Sequence, residues 1–131
     1  MKSSYVFKNK LQFLVMTING QYDYWDFIQY PKIILRKCQS EVVYKILVDL
    51  VPITYTEIPT IELFFLGEAV AEVLRDRVKL ALIWVGDNKD QLLESVAVNR
   101  AANMRIFEST KVGELWLLQD KEGEPSNLFQ I

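Results

Sequence analysis

Histidine is absent from this sequence of 131 residues, which contains 5 glycines, 4 prolines and a single cysteine, Cys38. Without histidine, a protein lacks the commonest general base and the commonest metal ligand. One cysteine cannot form an intrachain disulfide, so we expect a compartment that keeps thiols reduced. The sequence contains neither a Cys-x-x-Cys pair nor a glycine-rich phosphate-binding motif. It therefore predicts no catalytic residues, no metal site and no cofactor, and a protein that is not an enzyme.

Long apolar runs and an excess of one charge are lacking as well. The longest apolar runs, such as residues 80–85, are far shorter than the ~20 residues that a membrane-spanning helix needs. The first residues, MKSSYVFKNK, are polar and do not resemble a signal peptide. A net charge of −2 offers no clustered basic surface for phosphates. We expect a cytoplasmic protein without a membrane span and without a nucleic-acid partner.

The sequence does contain a regular alternation of apolar segments. Half of its residues are hydrophobic and 24% are charged, a balance typical of a globular chain that buries a core. Segments rich in β-branched and aromatic residues predict strands at 4–9, 11–19, 43–51, 78–85 and 104–109. Segments with helical periodicity predict helices at 61–76, 89–102 and 110–119, and a polar turn is expected at 86–88.

Together with a helical region at 22–39, this order predicts an α/β fold. The pattern β-β-α-β-α-β-α-β-α places parallel strands with right-handed crossovers beside an antiparallel pair at the N-terminal edge. We expect a mixed, mostly parallel sheet of about five strands with about four helices. A single domain would span 1–131, with its core at about 4–119 and a C-terminal tail at 120–131 that is either loose or docked through Leu128 and Phe129.

The segment 22–39 combines many aromatic residues with an interior proline, Pro31. Asp23 is suited to cap a helix that begins here. Because proline removes a backbone hydrogen bond, Pro31 either kinks one helix over 23–39 or begins the second of two short helices. We favour the single kinked helix. The aromatic side chains form either core packing or the wall of an apolar pocket; they are Tyr22, Tyr24, Trp25, Phe27 and Tyr30.

Several segments, taken in order, resemble one family. They are ILVDL at 46–50, FFLGEAVAEVL at 64–74, VKLALI at 78–83, SVAVNRAANMRIFES at 95–109 and ELWLL at 114–118. This series is similar to the SpoIIAA-like branch of the STAS domains, the anti-sigma-factor-antagonist fold, which is sometimes described jointly with Sec14-type lipid-binding domains. The resemblance implies a STAS-like domain with a regulatory or protein-interaction role, whose partner is another protein or a second copy of the chain in a homodimer.

The loop after the central strand departs from that family. In STAS antagonists it carries an Asp-Ser-Ser-Gly segment whose serine is phosphorylated, whereas LVDLVPITYTEIPTIE at 47–62 contains no serine. Its hydroxyl groups belong to Thr54, Tyr55, Thr56 and Thr60. The threonines are candidate phosphoacceptors, although we expect Thr60 mainly to cap the next helix. The family also commonly has glycine where this chain has Ala101, so we expect Asn103 to adopt the left-handed conformation instead.

Other candidates lie near the same loop. Asp49 ends a buried strand and is expected to anchor the loop by accepting backbone hydrogen bonds, or else to form a site together with Glu57. Phe64 and Phe65 flank the core stripe of the next helix, and they either anchor an interface or an apolar ligand, or pack on the loop. The candidate binding residues are Asp49, Thr54, Tyr55, Thr56, Glu57, Thr60, Phe64 and Phe65.

Two functions follow from these observations. The first is a non-enzymatic regulatory or protein-interaction module. The alternative is a carrier or sensor of a small apolar, lipid-like ligand, held between the sheet and the helices at 22–39 and 61–74. Arg100 ends a helix, where its charge complements the helix dipole, with anion binding alongside Arg105 as a further hypothesis. A small enzyme built on Asp49 and Glu57 is the least favoured interpretation.

Overall fold

Strands and helices alternate along the chain after an initial antiparallel pair. The computed structural model describes residues 2–85 and 90–119, so the predicted turn at 86–88 and the tail at 120–131 lie outside the described residues. The elements are β1 (Ser3–Asn9), β2 (Leu14–Gln21), α1 (Tyr24–Phe27), α2 (Tyr30–Glu41), β3 (Lys45–Asp49), β4 (Ile53–Thr54), α3 (Thr60–Leu74), β5 (Lys79–Ile83), α4 (Asp90–Asn99), β6 (Asn103–Phe107) and α5 (Thr110–Leu118).

The strands of the described chain form one sheet in the order β1-β2-β3-β5-β6, with β4 pairing beside β2. β1 and β2 are antiparallel, and the other pairs are parallel. The predicted α/β fold with a mixed, mostly parallel sheet is therefore confirmed. The sequence does not predict β4, because two residues are too few to show a periodic pattern.

The two faces of the sheet are covered unequally. α2, α3 and α4 pack over a large apolar cluster on one face, whereas α5 packs over a smaller cluster on the other. Successive residues of a strand point to opposite faces. In β3, Ile46 and Val48 belong to the large cluster and Leu47 belongs to the small one. Burial on both faces explains why the central strands are apolar throughout.

Residues 24–41 form two helices rather than one kinked helix. Asp23 caps α1 as predicted, since its carboxylate accepts a hydrogen bond from the Asp26 backbone N–H at 3.1 Å. α1 ends after one turn, and α2 begins at Tyr30 with Pro31 in its first turn. Proline fits there because the N–H groups of a first helical turn have no intrahelical acceptor. The favoured prediction of a kinked helix is wrong, and the alternative of two helices is right.

β2 begins at Leu14, three residues later than predicted. The Leu11 N–H donates a hydrogen bond to Asn9 Oδ1 at 2.8 Å, and Leu11 has a φ of 76° with its side chain exposed. A side-chain acceptor of this kind competes with strand pairing for the backbone N–H. The chain therefore turns between β1 and β2 before Phe13 enters the core.

α4 ends in the left-handed conformation that glycine usually supplies. Ala101 has a φ of 76°, and the Ala102 N–H donates to Ala97 O at 3.0 Å, as in a Schellman motif. Asn103 is instead the first residue of β6, where it pairs with Lys79. The expectation that Asn103 takes the left-handed role is wrong, because the turn is complete before the strand begins.

Candidate functional site

The loop between β3 and α3 lies at the carboxyl edge of the parallel strands, where open α/β sheets bind ligands. A surface groove of about 340 Å³ opens there, which we call the loop groove. Its lining residues are Gln21, Tyr22, Thr54, Tyr55, Thr56 and Glu57. Four of the residues that the sequence singles out, 54–57, therefore lie together around one concave surface.

Hydrogen bonds hold the loop in place against β2. The Tyr22 N–H donates to Thr54 O at 2.9 Å, and Thr54 Oγ1 donates to Gly20 O at 3.1 Å. The Tyr22 hydroxyl donates to Glu62 Oε1 at 2.8 Å, which ties β2 to the first turn of α3. Burial raises the pKa of Tyr22, and the Glu62 carboxylate raises it further, so this phenol stays protonated as a donor. The groove thus has a fixed wall.

Asp49 anchors the loop, in agreement with one of its two predicted roles. Its Oδ1 accepts a hydrogen bond from the Val51 N–H at 3.0 Å, and the Ile53 N–H donates to Leu50 O at 3.0 Å in the same turn. Asp49 does not line the loop groove, whereas Glu57 does. The structure therefore does not bring these two carboxylates together around that groove.

Thr60 does not cap α3, so that prediction is wrong. Pro59 occupies the cap position in an extended conformation with ψ of 140°, and it supplies no side-chain hydrogen bond. Its carbonyl oxygen accepts from the Glu62 and Leu63 N–H groups at 3.0 and 3.2 Å. The helix begins one residue earlier than a threonine cap requires, which places Thr60 in the first turn with its side chain exposed.

Phe64 and Phe65 have different surroundings in the first half of α3. Their rings make an edge contact with each other at 5.7 Å, and the Arg100 guanidinium lies 5.3 Å from the centre of the Phe64 ring. Phe65 is 43% exposed, as predicted for at least one of the pair. Tyr55 packs against Trp84 at 5.8 Å rather than against the phenylalanines. Neither phenylalanine lines the loop groove.

The first two turns of α3 present apolar side chains to solvent. Ile61 is 57% exposed, and it lies four residues before Phe65, so both share one face of the helix. We call Ile61 and Phe65 the α3 patch. Val51 and Tyr55 are also exposed at this edge. The sequence indicates this patch only weakly, because Ile61 is an apolar residue that lies outside the buried face of α3.

The two arginines do not form a shared anion site. Arg100 makes an ion pair with Glu68 at 3.2 Å, which joins the end of α4 to α3. Arg105 pairs in register with Ala81, whose side chain belongs to the cluster on the α5 face. Residues at matching positions of adjacent parallel strands share a face, so Arg105 lies on the side of the sheet away from Arg100 and α3.

A second concavity lies inside the molecule, between the sheet and the helices. It has a volume of about 70 Å³ and walls from β2, β3, β5, β6, α1, α2, α3 and α4, and we call it the inner cavity. Tyr22, Phe27 and Tyr30 line it and also pack against the large core cluster, so both interpretations of the aromatic segment apply to these three residues. Trp25 is instead exposed. Trp84 is the lining residue that sequence reasoning missed, because its position just after β5 gives no sign of a cavity.

Two buried titratable groups, Asp26 and Cys38, have distinct environments. Burial alone would raise the pKa of Asp26, but hydrogen bonds from the Ser3 hydroxyl and from the Ser3 and Lys2 backbone N–H groups outweigh it and lower that pKa. Burial raises the pKa of the Cys38 thiol to about 11, so the thiol stays protonated. Within 2–85 and 90–119, no group of three acidic or cysteine side chains is arranged to hold a metal ion.

Comparisons with known proteins bear on the fold. No protein-family model matches the sequence. No curated protein matches it. The structure is similar to that of an anti-sigma factor antagonist from Mycobacterium paratuberculosis, with a TM-score of 0.61 over 89% of this chain and 95% of that chain. The two sequences are 9% identical, so the likeness is one of fold. It confirms the STAS-like, SpoIIAA-like fold that the segments of the sequence predict.

Among the helices of the described residues, none has the length and apolar character needed to cross a membrane.

Proposed function

We propose that this chain is a non-enzymatic regulatory or protein-interaction module of the STAS-like type, built as a single domain. The observation that carries the proposal is the α3 patch, two large apolar side chains exposed beside a loop held by hydrogen bonds. Exposed apolar side chains next to a rigid polar rim are typical of protein interfaces. The similar solved structure is named as an anti-sigma factor antagonist, which supports a role exerted through another protein.

The candidate enzyme built on the loop is disfavoured by its geometry. A general acid or base must reach the same reacting atom as its partner. Asp49 Oδ1 already accepts a hydrogen bond from the Val51 N–H. Asp49 also does not line the loop groove, where Glu57 and the loop hydroxyls lie. We therefore assign the loop to recognition, with Thr54, Tyr55, Thr56 and Glu57 as binding residues.

Thr56 and Thr60 are the proposed phosphoacceptors of this surface. Both side chains are exposed, whereas Thr54 donates its hydroxyl to Gly20 O. A phosphate on Thr60 would sit in the first turn of α3, where free backbone N–H groups favour negative charge. Phosphoproteomic analysis of the protein from its native cell tests this role. Modification of Thr54 alone would contradict it.

Self-association through the α3 patch is the first interaction to measure. We expect a homodimer whose dissociation constant rises at least tenfold in Ile61→Ser, because a central apolar side chain contributes more than ~1.4 kcal/mol to an interface. Analytical ultracentrifugation over a range of concentrations measures the constant. Leu115→Ser is the matched control, since Leu115 on α5 is also 57% exposed but lies on the other face of the sheet.

Comparing the two variants shows which surface, the α3 patch or α5, forms the dimer interface. Weakening by Ile61→Ser and not by Leu115→Ser supports the α3 patch. The reverse result transfers the interface to α5 and contradicts the patch. A wild-type chain that stays monomeric at all concentrations removes the homodimer and leaves an unlike protein as the partner.

A second function, carrier or sensor of a small apolar ligand, is favoured by the inner cavity. Most of its walls are buried aliphatic and aromatic side chains, and close-packed interiors contain few spaces of this size. Apolar cavities of comparable kind stay dry and take up small apolar molecules. Native mass spectrometry after gentle purification tests the function, with a bound apolar mass expected and a clean mass of the bare chain counting against it.

A further inference from the structure

One residue that lines the inner cavity, Trp84, carries a hydrogen-bond donor that has no partner among the described residues. We infer that the cavity binds a small, neutral, mainly apolar molecule with a single hydrogen-bond acceptor, such as a ketone, aldehyde or ether oxygen, and that the Trp84 indole N–H donates to it. This inference rests on the second proposed function and adds the chemical class of the ligand. Trp84 is 7% exposed, and its Nε1 is the buried side-chain nitrogen without a hydrogen-bond partner in the described chain.

The unpartnered indole is unfavourable in the empty protein. A buried N–H that has left water without gaining an acceptor loses the full value of its hydrogen bond. Buried tryptophan side chains usually find a partner for this group. A phenylalanine after β5 would provide an aromatic wall without that loss. An acceptor placed in the cavity would supply the partner that the fold leaves out.

The other polar groups of the cavity wall are already occupied. The Tyr22 hydroxyl donates to Glu62 Oε1 at 2.8 Å. The Tyr30 hydroxyl makes a short hydrogen bond with Ser3 Oγ. The remaining wall is aliphatic or aromatic apart from the Met104 thioether, so it offers no counter-charge to an ion. A charged ligand would be desolvated without compensation, which restricts the ligand to neutral molecules.

The size of the cavity sets an upper limit on the ligand. Its volume of about 70 Å³ is roughly half that of an engineered cavity of ~150 Å³ that binds benzene. By that comparison with benzene, which has six non-hydrogen atoms, the cavity holds about three or four non-hydrogen atoms. A long acyl chain requires the helices to separate, so a short carbonyl compound fits the described structure better than a membrane lipid.

Trp84 also connects the inner cavity to the loop groove. Its ring makes an edge contact with Tyr55 at 5.8 Å, and Tyr55 lines the groove. Tyr22 lines the cavity and the groove at the same time. A ligand that fixes the Trp84 ring thus acts on a residue that touches the proposed interaction surface. Through this contact the loop responds to an occupied cavity.

Two probes of nearly equal shape separate the roles of the cavity and of the donor. Acetone carries a carbonyl oxygen where 2-methylpropene carries a CH₂ group. Each is titrated into the ¹⁵N-labelled full chain while the indole N–H resonances of the three tryptophans are recorded. We expect both probes to bind, with acetone roughly three- to tenfold tighter, the gain of one net hydrogen bond. Acetone should move the Trp84 indole resonance downfield and leave that of Trp25 in place.

Three variants sharpen the measurement. Trp84→Phe removes the donor, so it should abolish the preference for acetone while 2-methylpropene still binds. Trp25→Phe makes the same chemical change at an exposed position and should keep the preference. Val48→Ile adds a methyl group to the cavity wall and should weaken both probes to a similar degree.

The possible results separate the assigned hydrogen-bond acceptor from the carrier function. Equal affinity of the wild type for acetone and 2-methylpropene overturns the assigned acceptor but leaves the carrier function in place. Binding of neither probe at millimolar concentration overturns both. If Trp84→Phe does not fold, the ratio of the two wild-type affinities and the Trp84 resonance still give the answer.

Discussion

The two edges of the parallel sheet make their turns in different ways. At the carboxyl edge, Asp49 accepts a hydrogen bond and the Thr54 and Tyr22 hydroxyls donate hydrogen bonds that fix the chain, and the apolar α3 patch is exposed. At the amino edge, the chain turns through non-glycine residues with positive φ. These residues are Leu11, Val42, Asp76 and Ala101. Backbone strain often accumulates at functional sites, yet here it lies at the edge opposite the candidate site.

The short connections at the amino edge account for this strain. β3 begins four residues after the end of α2, and β6 begins four residues after the end of α4. Such short helix-to-strand connections commonly need one left-handed residue, for which glycine is best suited. The basic groups nearby also have structural partners, since Lys79 Nζ donates to Trp116 O at 2.7 Å and to Gln119 O at 2.6 Å. The amino edge is therefore a set of strained connectors. We expect the loss of a hydrogen bond at the carboxyl edge to lower the free energy of unfolding, and glycine at a strained residue of the amino edge to raise it.

The largest effect is expected at Asp26, at the carboxyl edge. Its Oδ2 accepts from the Lys2 and Ser3 N–H groups at 3.0 Å each and from Ser3 Oγ at 2.9 Å. Asp26→Asn should lower the free energy of unfolding by about 2–3 kcal/mol, because buried donors lose a charged acceptor. Urea denaturation measures the change. Asp76→Asn is the control at the amino edge, with an expected change within about 0.5 kcal/mol.

The same carboxylate gives the stability a pH dependence. The folded pKa of Asp26 lies below its unfolded value of about 4, so its stabilisation is present above that pH and is lost as the pH falls through the folded pKa. Below about pH 4, the free energy of unfolding should decrease more steeply for the wild type than for Asp26→Asn. Parallel pH profiles for the two proteins would contradict the buried network.

A smaller loss is expected for Tyr22→Phe, which removes the link between β2 and α3. The variant should lose about 1 kcal/mol of unfolding free energy, the net value of one hydrogen bond to Glu62. Hydrogen exchange should also become faster at the Tyr22 amide, which is bonded to Thr54 O. Tyr44→Phe is a matched change at an exposed tyrosine near the amino edge. An equal loss in both variants would mean that the Tyr22 link adds nothing.

The sequence predicts the fold well because the strands carry a strong signal. β3 and β5 are apolar on both faces, a pattern that indicates central strands covered on both sides. The position of the loop groove follows from the same order, since ligands gather at the carboxyl ends of parallel strands. The sequence alone therefore predicts that residues 54–57 lie around one candidate site, the loop groove.

The remaining features depend on geometry that local patterns do not contain. A helix that begins one residue earlier turns Thr60 from a cap into an exposed first-turn residue. The role of Trp84 depends on a gap between elements that are far apart in sequence. Valine has a low preference for the left-handed conformation, so nothing in the sequence marks Val42 as the end of α2. Tertiary packing fixes each of these features against the local preference.

Val42 tests the strain at the amino edge directly. It ends α2 with a φ of 56°, and its side chain is 73% exposed, so glycine there loses little packing. Val42→Gly should raise the free energy of unfolding by about 1 kcal/mol, because glycine tolerates this conformation without steric conflict. Val51→Gly is the matched change at the carboxyl edge, where φ is not positive and the greater freedom of the unfolded glycine chain should reduce stability.

Ala101→Gly should give the smallest gain, about 0.5 kcal/mol, since the alanine side chain conflicts less with the left-handed conformation than valine does. The change places in this chain the residue that a Schellman motif prefers, and it leaves the Ala102 N–H bonded to Ala97 O. Thermal unfolding measures the gain, and Ala69→Gly in the middle of α3 is the control, with an expected loss of about 1 kcal/mol. If both glycine variants lose stability, Ala101 is not strained, and the difference between the two edges must come from hydrogen bonding at the carboxyl edge alone.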